Sequence, residues 1–139
     1  MNDLPAENTY TNGQHAQAHA RQGRRIIPMH NPVGDGCSCQ KGAECEAIGK
    51  HPRIKDWTNQ ATTDRERIIA WWTQWPDANV AMVTGVASGV VVIDVDPRNG
   101  GGQAIKELQD GHGYFDTRTI YTGGGGQHYW FDPEGVEYE

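Results

Sequence analysis

The chain has 139 residues, with 12 Lys and Arg against 18 Asp and Glu, a net charge of −6 and 18 glycines. That length suits one domain with a real core, while a mean hydropathy of −0.73 implies long loops around it. The acidic balance argues against coating nucleic acid through bulk electrostatics, but leaves room for a local basic patch or a metal-mediated phosphate site.

No apolar run approaches the ~20 residues of a membrane span, and the N-terminus lacks the basic-then-apolar pattern of a signal peptide. These features predict a cytoplasmic protein without membrane partners. The three cysteines fall within nine positions, Cys37 to Cys45, too few and too crowded for a disulfide framework. No internal repeat is present.

In chain order, residues 1–13 are polar and rich in turn formers, which predicts a disordered tail. The alanines from Gln14 to Gln22 allow a short helix that Gly23 stops. Arg24 to Met29 reads as a strand, placed at an edge by Pro28. Residues 31–61 form a long loop holding all three cysteines with Lys50, His51, Arg53 and Lys55, and a loop of that length calls for a functional reason or a non-covalent pin. Thr63-Asp64-Arg65-Glu66 predicts a capping box with Thr63 as the cap. The helix behind it carries Ile68, Trp72 and Trp75 at helical spacing, with Ile69 beside them, and ends at Pro76; the periodicity favours core tryptophans over base-stacking ones.

Val80 to Thr84 is a short strand. The Gly85 to Gly89 turn after it predicts an antiparallel hairpin with the run from Val90 to Asp96. That run is β-branched until it ends in two carboxylates. Alternation along a strand points Asp94 and Asp96 the same way, about 6.6 Å apart at about 3.3 Å per residue. Two like charges on one face repel unless a cation sits between them, and a hard divalent ion with oxygen ligands is the natural occupant; the competing reading is a solvated strand-to-turn junction. A short helix, Gln103 to Gln109, follows with Ile105 and Leu108 inward. Thr117 to Thr122 alternates like a half-buried strand, Gly123 to Gly126 make a turn, and Gln127 to Phe131 return as a strand. Parity puts His128 and Trp130 on one face, with Gln127, Tyr129 and Phe131 on the other. The predicted class is α+β: a mostly antiparallel sheet with helices on one side and a loop-rich insertion.

Two constellations carry chemistry. Cys37-x-Cys39-x5-Cys45-x5-His51 offers four borderline or soft ligands, the number of a closed tetrahedral zinc site, and a bound ion would order the loop. The alternatives are a flexible loop with reduced thiols, or His51 as a phosphate contact. The four glycines before His128 allow positive φ and close approach, and exposed N–H groups in such a turn can cradle phosphate oxygens. The competing role is a plain connection between strands.

Taken in order, Pro28, Cys37-Ser38-Cys39, Gly49-Lys50-His51-Pro52, Trp57, Ala61-Thr62-Thr63, Trp71-Trp72, Trp75-Pro76-Asp77-Ala78-Asn79, Thr84-Gly85, Ser88-Gly89, Asp94-Val95-Asp96 and Gly124 to Phe131 resemble one family. It is the bifunctional DNA primase/polymerase N-terminal (Prim-Pol) domain of the archaeo-eukaryotic primase superfamily, common on plasmids, phages and integrated elements. The resemblance runs from about Gly23 to Phe131. It implies a fold with an RNA-recognition-like sheet and an added α/β unit. It implies DNA template and primer, nucleoside triphosphates, Mg2+ or Mn2+ as cofactor, and a helicase as domain or partner. Asp94 and Asp96 would hold the metals, His128 would meet the triphosphate, and Lys50, Thr84, Gly125 and Gly126 would contact the nucleotide. The chemistry implied is template-directed phosphodiester formation with two metal ions.

The family's third motif, an acid beyond the histidine hairpin in a glycine-rich context, has no recognisable counterpart. Glu134, Glu137 and Glu139 stand there without that context. The expected organisation is therefore a catalytic domain over 14–139 cut before its third motif. Arg25 stands where an aromatic is more usual. Two other readings compete: a non-catalytic zinc-bearing nucleic-acid-binding accessory, and a metal-dependent phosphoesterase using the same aspartates.

Overall fold

The computed structural model describes residues 9–133. The chain is α+β and divides into two compact units, Met1–Val83 and Thr84–Glu139.

The first unit packs two helices on a two-stranded sheet. Helix α1 (Asn12–Arg21) begins inside the stretch expected to be a tail. Thr11 accepts a hydrogen bond from Gln14 N–H, and the Gln14 side chain accepts from Thr11 N–H, a reciprocal cap that offsets the turn tendency of Asn12-Gly13. Strand β1 (Ile26–Met29) pairs antiparallel with β4 (Asn79–Met82), in the register Ile26 with Met82 through Met29 with Asn79. Helix α3 (Arg65–Gln74) is capped by Asp64, which accepts from Arg67 N–H, and not by the expected Thr63. The Thr63 reading placed the cap one residue early, and Trp75 ends the helix instead of lying within it.

Ala16, Ala20, Ile26, Ile68, Trp72 and Ala78 form the core, with Trp71, Trp75, Val80 and Met82 against it. Trp72 donates its indole N–H to the Ala78 carbonyl at 3.0 Å, so the tryptophans are core residues as their spacing predicts.

β1 is an edge of its two-stranded sheet, as Pro28 predicts. Its second side takes up the cysteine loop: Ile26 and Thr62 exchange backbone hydrogen bonds, His30 N–H reaches the His51 carbonyl, and Arg53 N–H reaches the Pro28 carbonyl. Pro28, fully buried, shares the parity of Ile26 and His30, so its missing donor falls on that irregular side and spares the β4 ladder. The loop itself contains a small hairpin of β2 (Pro32–Val33) and β3 (Gly36–Cys37), then a single helical turn, α2 (Trp57–Gln60).

The second unit is a three-stranded antiparallel sheet in the order β5 (Val91–Val95), β7 (Gln127–Phe131), β6 (Thr119–Tyr121), with α4 (Gly101–His112) packed against β5. The expected hairpin between the strands before and after Gly85–Gly89 does not form. β4 pairs with β1 and β5 with β7, leaving one bridge, Gly85 to Val90. Proximity in sequence lost to burial of the β4 apolar residues against α1 and α3. In α4, Ile105 is half-buried but Leu108 is 40% exposed, against the expectation that it points inward. Among the described residues, no helix is long and apolar enough to cross a membrane.

Candidate active site and metal centre

In the second unit the ladder fixes the geometry. β5 and β7 pair Asp94 directly with His128, Val92 with Trp130 and Val95 with Gln127. Opposed residues share a sheet face, so one face carries Val92, Asp94, His128, Trp130 and Ile120. On the opposite face Val95 and Tyr129 are buried, Phe115 meets Tyr129 and Phe131 edge-on, each at 5.4 Å, and Gln127 accepts from the Tyr129 hydroxyl. His128 Nε2 lies 3.4 Å from Asp94 Oδ1, both side chains partly open to solvent.

Asp96 stands just past β5 and is tied differently. Its Oδ1 accepts from the Arg98 backbone N–H at 2.9 Å and from Arg98 Nε at 3.2 Å, and its Oδ2 accepts from Asn99 Nδ2 at 3.0 Å. These bonds, the Arg98 side chain first, hold the Asp96 carboxyl below the usual carboxylate range, and Asp96 in turn raises Arg98. Arg98 and Asn99 were not singled out as site residues from sequence. The Asp-Pro-x-Asn turn was the available signal, since an Asp before a tight turn accepts from N–H groups two and three residues on.

Two glycines are required by close approach. A Cβ on Gly101 would stand 2.6 Å from the Asp96 carbonyl oxygen, where the start of α4 meets the end of β5. A Cβ on Gly126 would collide with the Val95 carbonyl oxygen. Within the glycine turn only Gly125 has positive φ, +82°. Its N–H donates to the Thr122 carbonyl and that of Gly126 to Thr122 Oγ1, so these two donors hold the turn together.

Of the expected nucleotide contacts, the structure brings Gly125, Gly126 and His128 to the end of the sheet where Asp94 and Asp96 lie. Thr84 is exposed beside the Gly85–Val90 bridge, at the other end of β5 from Asp94. Lys50 belongs to the first unit. Glu134, Glu137 and Glu139 lie outside the described residues.

In the first unit Cys37, Cys39, Cys45 and His51 converge, their ligand atoms all within 4.8 Å of one another. Cys37 Sγ and Cys45 Sγ are each 3.5 Å from His51 Nε2. Zinc–sulfur bonds of about 2.3 Å and zinc–nitrogen bonds of about 2.0 Å at tetrahedral angles give edges of about 3.5 Å, so the donor set and its spacing fit zinc. Burial raises the Cys37 thiol, but backbone N–H groups of Gly49 and Cys39 and the His51 side chain outweigh it and bring it to about 6, favouring the ligating thiolate. Cys45 is shifted the other way: the Ala47 N–H lowers it, but burial and the neighbouring thiols outweigh that.

A supporting layer holds the loop. His30 stacks on His51 at 4.4 Å and bonds Ser38 Oγ at 2.9 Å. Arg53 reaches Ser38 Oγ, Asn31 Oδ1 and the Met29 carbonyl, and its guanidinium lies over Trp75 at 5.4 Å. Gly49, with φ +68°, fits closely against Pro32 and Asn79.

A sequence model of the bifunctional DNA primase/polymerase, N-terminal (Prim-Pol) family matches residues 16–139. The chain belongs to that family. No curated protein matches the chain, and no solved structure does. Prim-Pol membership supports DNA primase/polymerase function in general terms, with DNA and nucleotides as substrates, and the Cys3His cluster of this Prim-Pol chain could hold zinc.

Proposed function

We propose that both units, over 14–139, act as a Prim-Pol catalytic domain that makes phosphodiester bonds from nucleoside triphosphates on a DNA template. The observation that carries this is the pairing of Asp94 with His128 across β5 and β7, with Asp96 beyond the same strand end. Asp94 and Asp96 hold Mg2+ or Mn2+; Asp94 offers an open carboxylate, and Asp96 must release Arg98 to do so. Bound there, divalent ions supply Lewis-acid activation of the attacking hydroxyl and neutralise the leaving pyrophosphate. His128, 3.4 Å from Asp94, donates to a phosphate oxygen. Arg98, displaced from Asp96, remains beside the phosphates as a counter-charge. Thr84 enters as a nucleotide contact that the family likeness implies.

One zinc bound by Cys37, Cys39, Cys45 and His51 serves as a structural centre. The family likeness also supports replication of plasmid, phage or other mobile DNA in the cytoplasm, with a helicase as partner. Metal-dependent extension of a primed template tests the reading. Asp94→Ala and Asp96→Ala are each expected to abolish it, and unchanged extension would end the assignment. If template binding persists in Asp94→Ala but no variant or wild type extends, the zinc-bearing accessory reading stands. Hydrolysis of nucleotide or DNA without extension would mark a phosphoesterase.

A further inference from the structure

The face of the second sheet that carries Asp94 and His128 continues into a second row. Two residues along β7, about 6.8 Å by strand rise, Trp130 is opposed by Val92 on β5 and meets Arg118, the residue just before β6, whose carbonyl accepts from Trp130 N–H. The Arg118 guanidinium lies over the Trp130 ring, 4.6 Å from its centroid, and Arg118 is exposed. In the same unit Arg98 is paired with Asp96 and Lys106 with Asp110, whereas Arg118 is held by the indole. An arginine stacked on a tryptophan is a flat, cationic, preordered surface, and its outer side is open. The Thr117 hydroxyl, hydrogen-bonded to the Trp130 carbonyl, anchors the segment that carries it.

We infer that the Arg118–Trp130 stack is a nucleobase platform. A base lies on the guanidinium plane, which the indole backs, while the phosphates attached to it reach toward His128 and Asp94 in the next row. The spacing between rows matches the reach from a base across its sugar to a phosphate. Planar stacking on arginine and aromatic groups is tolerant of base identity, as copying any template requires. Stacking on Trp130 also lowers the entropy lost when Arg118 receives a base. This inference rests on the proposed catalytic reading of Asp94 and His128 for what the base is used for, but the platform itself is testable without catalysis.

The test uses the full chain without added Mg2+ or Mn2+, titrated with a single-stranded oligonucleotide containing 2-aminopurine and, separately, with 2-aminopurine nucleoside triphosphate. Stacking quenches the probe's fluorescence. Wild type is expected to quench at least one probe, and the probe that responds identifies the occupant as template strand or incoming nucleotide. Arg118→Ala is expected to weaken that binding about tenfold and remove the quenching. Arg118→Lys keeps the charge but lacks the plane, so it is expected to regain part of the affinity without the quenching; full recovery of both would overturn the platform, as would unquenched binding by wild type. Trp130→Phe, which keeps a ring behind Arg118, is expected to retain most of the quenching, and a complete loss with a folded protein would assign the stacking to the indole alone and overturn the role given to Arg118. Asp94→Asn serves as the separating control: it is expected to lose extension yet quench as wild type does. If it extends normally, the catalytic reading fails while the quenching still decides the platform.

Discussion

The cysteine loop of the first unit and the carboxylate–histidine face of the second gather their chemistry by different means. The loop draws Cys37, Cys39, Cys45 and His51 from fifteen consecutive residues of largely irregular backbone. It holds them through hydrogen bonds to the flank of β1 and through the Arg53 network. The face draws Asp94 and His128 from strands 34 residues apart in sequence and relies on sheet register alone to oppose them. A site of the first kind depends on what it binds, because the ion's bonds supply order that the backbone lacks. A site of the second kind stands before any ligand arrives, because ladder hydrogen bonds and the packed reverse face already fix its side chains.

That contrast predicts opposite responses to metal removal. Stripping zinc, or changing Cys37→Ser, is expected to cost the first unit several kcal/mol, since structural zinc contributes on the order of 10 kcal/mol of apparent binding energy to small domains. Thermal denaturation followed by tryptophan fluorescence should show a fall of more than about 10 °C, because Trp57, Trp71, Trp72 and Trp75 all lie in that unit. Metal analysis should find about one zinc per chain in wild type. Removing Mg2+ or Mn2+ is expected to leave the melting curve in place.

The second region should break instead at its backbone. Gly126→Ala is expected to destabilise by about 1–3 kcal/mol, because the added methyl would displace the Val95 carbonyl and with it the strand end that carries Asp94. Denaturant titration measures the cost. Extension should fall by more than the unfolded fraction accounts for, since the displaced register separates Asp94 from His128. A smaller effect is expected at Arg98. Replacing it with Gln removes the cation that Asp96 holds, so the divalent ion required for half-maximal extension should fall several-fold, while maximal rate falls because the counter-charge is gone.

Sequence patterns revealed these regions unevenly, for reasons visible in particular residues. The cysteine cluster is legible because ligand types at short spacing need only a tight turn to meet. The face that carries Asp94 is legible because strand alternation is local, and so is the parity that puts His128 on one face with Trp130. Partners far along the chain are not legible in that way. β4 looks like the first half of a hairpin with β5, yet it joins β1, about 50 residues upstream, because α1 and α3 cover that pairing. The N-terminal stretch looks like a tail until Thr11 and Gln14 are seen to cap each other. Asp64 displaces Thr63 as a cap by one residue, a shift that composition does not resolve. The bonds from Arg98 and Asn99 to Asp96, and those from Gly125 and Gly126 to Thr122, depend on turn geometry that emerges only once the strands are in place.

The central claim is that Asp94 with Asp96 and His128 carries nucleotidyl transfer while the cysteine cluster carries only structure. Single-turnover extension of a primed template by wild type and Asp94→Asn, with zinc content and template affinity measured on the same samples, tests it most directly. The account predicts that Asp94→Asn keeps its zinc and its template affinity and loses at least about a thousandfold in rate, the scale of a lost charge-stabilising group at a reacting centre. A rate within about tenfold of wild type, with both other quantities unchanged, would contradict it.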